Sequence, residues 1–283
     1  MNTGVVLSER QRPRAWAELL LVVGLFLAYK IGRLAADGRV GDAYADAGLV
    51  WHVERALHLP DEAWLQHLLL SAEALVRGAN VYYAVVHFPA TIAFLVFMYC
   101  FRPEHYLRFR RMLAWLTAVG LITHFVFPLA PPRMLGGFEL IDTAAVFGPS
   151  VYGPPQTDTL SNQYAAMPSL HVGWALVIAA GLITATGSRW RWLWLAHPIV
   201  TMIVVVGTAN HYWIDGVVAA AMVGLLLLGT GSAALEGPAV PEIPRQLVFE
   251  TPESRPDPHA GHPHEVSRAT WTGTFAPARA ADT

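Results

Sequence analysis

Charge is what this chain has least of. Only 14% of its 283 residues are Asp, Glu, Lys or Arg, where a soluble domain carries about 25%. With 54% hydrophobic residues and a mean hydropathy of +0.39, the chain is built for lipid. Cysteine is nearly absent as well. Cys100 stands alone in an apolar run, which excludes a disulfide framework or a thiolate metal site within one chain. There is no excess of one sign of charge: the net of −2 argues against a general nucleic-acid binder. No internal repeat of the kind that marks transporters is visible. No small-residue cleavage site follows the N-terminal apolar stretch, which Lys30 and Arg33 close instead, so it reads as a retained span rather than a signal peptide. Nor does any Cys/His/Asp cluster have the count or spacing of a catalytic metal site, so no metal and no cofactor are expected.

What is present is a series of apolar runs. Those at 15–31, 80–101, 112–129, 169–186, 190–208 and 211–230 each predict a membrane span, so that 15–230 forms one all-α, six-span membrane domain. Residues 1–14 are polar and basic, with Arg10, Arg12 and Arg14. In 34–78, Trp51, Val53, Leu57, Trp64, Leu65, Leu68 and Leu69 recur at helical spacing among charges. That pattern fits amphipathic helices lying on the membrane surface or packed against the bundle. Residues 130–166, rich in Gly, Pro and Asp, form the longest loop of the domain. The tail 236–283 holds eight of the 20 prolines and reads as disordered and cytoplasmic, with His259, His262 and His264 solvated rather than metal-bound. Six spans put both termini on one side. The short-loop arginines at 10–14, 102–111 and 189–191 fall on that side and make it the cytoplasmic face of a cell-membrane protein. The 130–166 loop and the polar ends of the spans after it then lie outside.

Two stretches carry the chemistry: AAMPSLHVGWALV at 165–177 and GTANHYWIDGVVA at 207–219. Each sets a histidine, His171 or His211, at the mouth of an apolar helix. Asp215 follows His211 at i+4, one turn away on the same face, where a carboxylate can fix an imidazole's tautomer. Pro168 and Ser169 occupy N1-type and cap positions at a helix start. The N–H groups around Ser169 and Leu170 would then cradle an anion. Arg133, after Pro131-Pro132, either clamps an oxyanion or snorkels to lipid head groups. His87 and His124 sit inside apolar runs and read as bonded core histidines. Asn162, Gln163 and Tyr164 could touch a polar head group by position alone, and the ten tryptophans read as an interfacial belt.

Pro168-Ser169-Leu170-His171 and His211-Tyr-Trp-Ile-Asp215 resemble the second and third signature motifs of the type 2 phosphatidic acid phosphatase superfamily. Leu170 within PSLH, and Pro131-Pro132-Arg133 upstream, resemble its inositol phosphorylceramide synthase branch and related actinobacterial membrane proteins. The resemblance covers roughly 15–230. It implies a six-helix membrane bundle acting on a lipid phosphate or phospholipid without metal. His211, oriented by Asp215, would form a phosphohistidine; His171 would protonate the leaving oxygen; Arg133, Ser169 and Leu170 would hold the phosphate. Release to water makes a phosphatase, and release to an alcohol makes a phosphotransferase such as an inositol-phosphate transferase. Two cations of the usual pattern are missing: Val205 stands six residues before His211 where an arginine is usual, and Val126 where a lysine is usual. A haloperoxidase shares the pattern but resembles soluble proteins. A non-catalytic transporter would explain the spans but not the motifs.

Overall fold

A computed structural model describes residues 16–18, 20–25, 27, 39–136, 139–149 and 162–235, with side chains as far as 229. The basic N-terminal segment, Lys30, Arg33, part of the 130–166 loop and the proline-rich tail lie outside the described residues. The fold is all-α. Its helices are α1 (Trp16–Leu25), α2 (Val40–Ala56), α3 (Glu62–Leu70), α4 (Glu73–Val81), α5 (His87–Phe101), α6 (Pro103–Val126), α7 (Thr143–Phe147), α8 (Leu170–Ala185), α9 (Ala196–Gly207) and α10 (Trp213–Leu235). A π-helical turn over Tyr82–Val86 joins α4 to α5, and a 3-10 segment over Arg189–Leu195 leads into α9. Among the described residues the only extended pairing is a parallel bridge, Leu129 with Ala165.

Local chemistry sets the helix ends. Asp61 and Asp142 accept from backbone N–H groups two and three residues on, capping α3 and α7, and Pro103 opens α6. The continuous helices Glu73–Phe101 and Arg189–Gly207 are long and apolar enough to cross a membrane. Trp16–Leu25, Leu170–Ala185 and Trp213–Gly229 are shorter apolar helices.

Helix α8 is the axis, packing on α5, α6, α9 and α10. Small residues let the helices approach. A Cβ on Gly216 would stand 2.4 Å from Met202 Sδ, and one on Gly173 2.8 Å from Leu116 Cδ2. Close packing of this kind is what holds helices together in lipid, where apolar burial gives no net drive. One core cluster, with Phe94, Met98, Phe109, Met112, Leu116 and Val177, fills the bundle away from the motifs. A second, with Ala43, Ala47, Leu129, Ala166 and Tyr212, packs α2 over the motif loops.

The 34–78 stretch is more than a surface rim. Trp64 is 64% exposed, as a surface helix would have it, but Glu54, Glu62 and Gln66 are fully buried. Gln66 pairs with both backbone groups of Ile141, which ties α3 to the loop before α7. Of the two arrangements the sequence allowed, α2 and α3 adopt the one packed against the bundle.

Candidate active site

The helix of the second motif begins at Leu170, with Ser169 as its cap: Ser169 Oγ accepts from Val172 N at 3.4 Å. Pro168 falls before the cap rather than at N1. The N–H of Ser169 donates to the Asp215 carbonyl at 3.1 Å, which ties the two motifs together by their backbones. That bond removes Ser169 N–H from the anion cradle. The N–H groups left at this terminus are those of Leu170 and His171. His124, a bonded core histidine as its setting suggested, holds the same turn through Nε2 and the Pro168 carbonyl, 3.2 Å.

His211 sits between α9 and α10. Its Nδ1 lies 2.8 Å from the Ala166 carbonyl and 3.2 Å from Asp215 Oδ2. A carbonyl only accepts, so Nδ1 carries the proton and the neutral ring keeps its lone pair on Nε2. Asp215 has a second task. Its Oδ2 also accepts from Tyr212 N at 2.9 Å, the reach-back half of a capping box at the start of α10.

The next unpaired donor of that helix, Ile214 N, is taken at 2.8 Å by Glu54 Oε1 from α2. Glu54 is a residue the sequence reading missed, and its partner Glu62, held at 2.8 Å by Arg55, lies beside it. Burial, then the hydrogen bond to Glu62, push the Glu54 carboxyl up to about 9, opposed by the Ile214 N–H. Burial and the neighbouring Glu62 thus favour the neutral form of the Glu54 carboxyl. Nothing in the spacing of α2 pointed to it. A glutamate at one end of an amphipathic helix reads as solvated until α10 is folded against it.

Arg133 does not reach for solvent: its side chain is 3% exposed. Its N–H donates to the Ala209 carbonyl, Nη1 donates to Asn210 Oδ1 at 2.6 Å, and Nε lies 3.3 Å from Asp142 Oδ2. Asn210, itself anchored to Thr208, thus fixes the guanidinium beside the residue that precedes His211. Asn162, Gln163 and Tyr164 form a turn ahead of PSLH, closed by Tyr164 N donating to Asn162 Oδ1 at 3.1 Å, and Leu129 N bonds the Tyr164 carbonyl.

His171 stands 6.0 Å from His211 between ring centroids. It stacks on Tyr83 at 4.5 Å and lies 4.4 Å from His87, whose ring also stacks on Trp174 at 4.6 Å. Among the described residues His87 is held by stacking, with no hydrogen bond to its ring of the kind a core histidine would have. Among the described residues no hydrogen bond reaches either ring nitrogen of His171. The positions of the missing cations differ. Val205 is buried in the site and its carbonyl accepts from both Asn210 and His211 N–H, whereas Val126 is 65% exposed at the end of α6. Among the described residues no cluster of three His, Cys, Asp or Glu side chains could hold a metal ion.

A helical bundle with a tautomer-locked histidine opposite a second histidine, and an arginine fixed alongside, is an arrangement that could carry out phosphoryl transfer. The profile of the PAP2 superfamily matches residues 49–229, and the chain belongs to that family. It is 27% identical over 157 residues to the inositol phosphorylceramide synthase catalytic subunit aur1 of Schizosaccharomyces pombe, covering 48% of this chain and 36% of that protein. It is 29% identical over 175 residues to the phosphoinositol dihydroceramide synthase of Bacteroides thetaiotaomicron, covering 53% and 54%. The chain thus spans between about a third and a half of the length of these relatives. No solved structure matches it.

Proposed function

We propose that the chain is an integral membrane phosphatase or phosphotransferase acting on a lipid phosphoester through a phosphohistidine. The observation that carries this is the double acceptor on His211 Nδ1, which leaves Nε2 as a nucleophile opposite His171. Nε2 attacks phosphorus in line and the ester P–O bond breaks. The departing alkoxide takes a proton from protonated His171 and leaves as the lipid alcohol. His171, now neutral, draws a proton from water or an acceptor alcohol as that oxygen attacks phosphorus and the P–N bond breaks. Arg133 and the N–H groups of Leu170 and His171 neutralise the equatorial oxygens.

Transfer to an alcohol is the second reading. It is favoured by the names of the two relatives, both synthases of inositol-phosphate-bearing ceramides. The membrane reading is supported by the two long apolar helices, and the six-span topology with an outward site by the arginine placement. A brief reaction with a ³²P-labelled lipid phosphate, quenched in alkali, tests the mechanism: label should stay on the wild-type chain and be absent from His211→Ala. Label in both would end the assignment. A reporter inserted within residues 140–160 and reading as cytoplasmic would overturn the outward topology.

A further inference from the structure

The segment 139–149 is pinned on both sides of Asp142. On one side Gln66 of α3 bonds both backbone groups of Ile141, at 3.0 and 2.9 Å. On the other, Asn80 of α4 donates to the carbonyls of Thr143 and Gly148 at 2.9 and 3.0 Å and accepts from Thr143 Oγ1 at 2.8 Å. Gln66, Asn80 and Thr143 are all buried, so breaking these bonds would leave polar groups unpaired away from water. Arg77 adds a bond to the Phe147 carbonyl at 2.7 Å. Held in this way, Asp142 cannot swing clear as part of a gate.

What the pins hold in place is a charge. Asp142 Oδ1 caps α7 through Ala145 N at 3.0 Å, and Oδ2 lies 3.3 Å from Arg133 Nε. That contact is longer than the usual charge-assisted bond of about 2.7–2.9 Å. Arg133 makes a much closer one to Asn210, at 2.6 Å. The aim of the guanidinium thus depends mainly on Asn210, and what Asp142 adds is mainly its field. A phosphate gripping the same guanidinium would meet a carboxylate of like charge across it.

We propose that Asp142 is a specificity-determining residue, a fixed counter-charge to Arg133 that weakens the hold on a bound phosphate group in proportion to the negative charge the group carries. A free phosphate or a phosphomonoester carries nearly two charges near neutral pH. On a logarithmic scale it is penalised about twice as heavily as a group with one charge. Across a guanidinium the two anions stand roughly 7 Å apart, worth about threefold in affinity per unit charge even at the dielectric of water. With its side chain 37% exposed, Asp142 lies toward that watery limit. The most charged species, otherwise the most tightly held, is then the one released most readily. That Arg133 holds phosphate rests on the proposed function; the grading by charge can be read without turnover.

The experiment uses the purified full chain in detergent at pH 8 and constant ionic strength. It is titrated with inorganic phosphate, which carries about two charges there, or with dimethyl phosphate, which carries one. Half-saturation is read from the rise in melting temperature. Asp142→Ser keeps a capping oxygen for α7 and loses the charge. It should bind phosphate about tenfold more tightly than the wild type and dimethyl phosphate about threefold. Asp142→Asn, equally neutral, should show the same grading, and it carries the test alone should Asp142→Ser not fold. Adding Arg133→Ala to either variant should abolish the gain. An equal change for both probes, no gain, or no binding in any of these proteins would overturn the counter-charge. Weaker binding in the Asp142 variants would overturn it too, as the mark of a residue that only positions Arg133. So would a gain that survives Arg133→Ala, since the anion would then be held elsewhere. A graded gain in a protein that forms no phosphohistidine would leave the role of Asp142 standing and remove the catalytic reading.

Discussion

His211 and His171 stand 6.0 Å apart, yet the first is fixed by hydrogen bonds and the second by aromatic rings. Around His211 the constraints are directional. Ala166 and Asp215 fix the tautomer, Asp215 and Glu54 cap the first turn of α10, and Ser169 N–H closes the gap between the motifs. Around His171 they are not. Tyr83 and His87 hold the plane of the ring, and among the described residues none bonds its nitrogens. The difference suits the roles proposed for the two rings. A nucleophile needs its lone pair on one nitrogen throughout, whereas a group that gives a proton and later takes one must change protonation state at little cost. Stacking sets no tautomer, whereas a carbonyl on Nδ1 rejects the tautomer that lacks a proton there.

The largest effect should separate the two sides outright. His211→Ala removes the only route through a covalent intermediate, so phosphate release from a lipid phosphate should fall to background. His171→Ala should lose about 10²–10⁴-fold, the usual worth of a general acid. With a substrate whose leaving group needs no proton, such as a nitrophenyl phosphodiester, most of that loss should disappear for His171→Ala and none of it for His211→Ala. Equal losses on both substrates would erase the distinction between the rings.

Arg133→Lys should come next, at about tenfold or more in kcat. It keeps the charge but loses the fork that Asn210 and Asp142 hold in place, and a charge-assisted hydrogen bond is worth about 1.5–3 kcal/mol. With Val205 and Val126 at two usual cation positions, the site has less to fall back on. Normal turnover in both Arg133→Lys and Arg133→Ala would mean the phosphate is held elsewhere.

The smallest effect concerns the support behind His211. Glu54 has a carboxyl raised from 4.5 to about 9 by burial, so the unfolded chain gives up this proton first. Its contribution to stability is fully present below pH 4.5 and is lost as pH rises through about 9. Melting temperature should therefore fall between pH 6 and 10 in the wild type. Glu54→Gln, which keeps an acceptor for Ile214 N–H and cannot ionise, should flatten that slope and cost turnover less than about threefold. Glu54→Leu orphans the N–H and should cost about 1–3 kcal/mol. A wild-type slope that survives in Glu54→Gln would move the titration to another group.

Residue type and spacing alone determined the helical class, the two motif histidines, the Asp215 partner at i+4 and the candidacy of Arg133. These are local facts: an apolar run of given length, a cap before it, two side chains one turn apart. Only the tertiary structure decided which atoms are free. It gave Ser169 N–H to Asp215 and so took it from the anion cradle the sequence suggested, and it turned Arg133 inward onto Asn210. It also brought Glu54 from α2, 160 residues away, to the start of α10, and set His87 and Tyr83 against His171 through a π turn. No sequence window contains such pairings, because they depend on how distant helices pack and on which donors and acceptors that packing leaves to find one another.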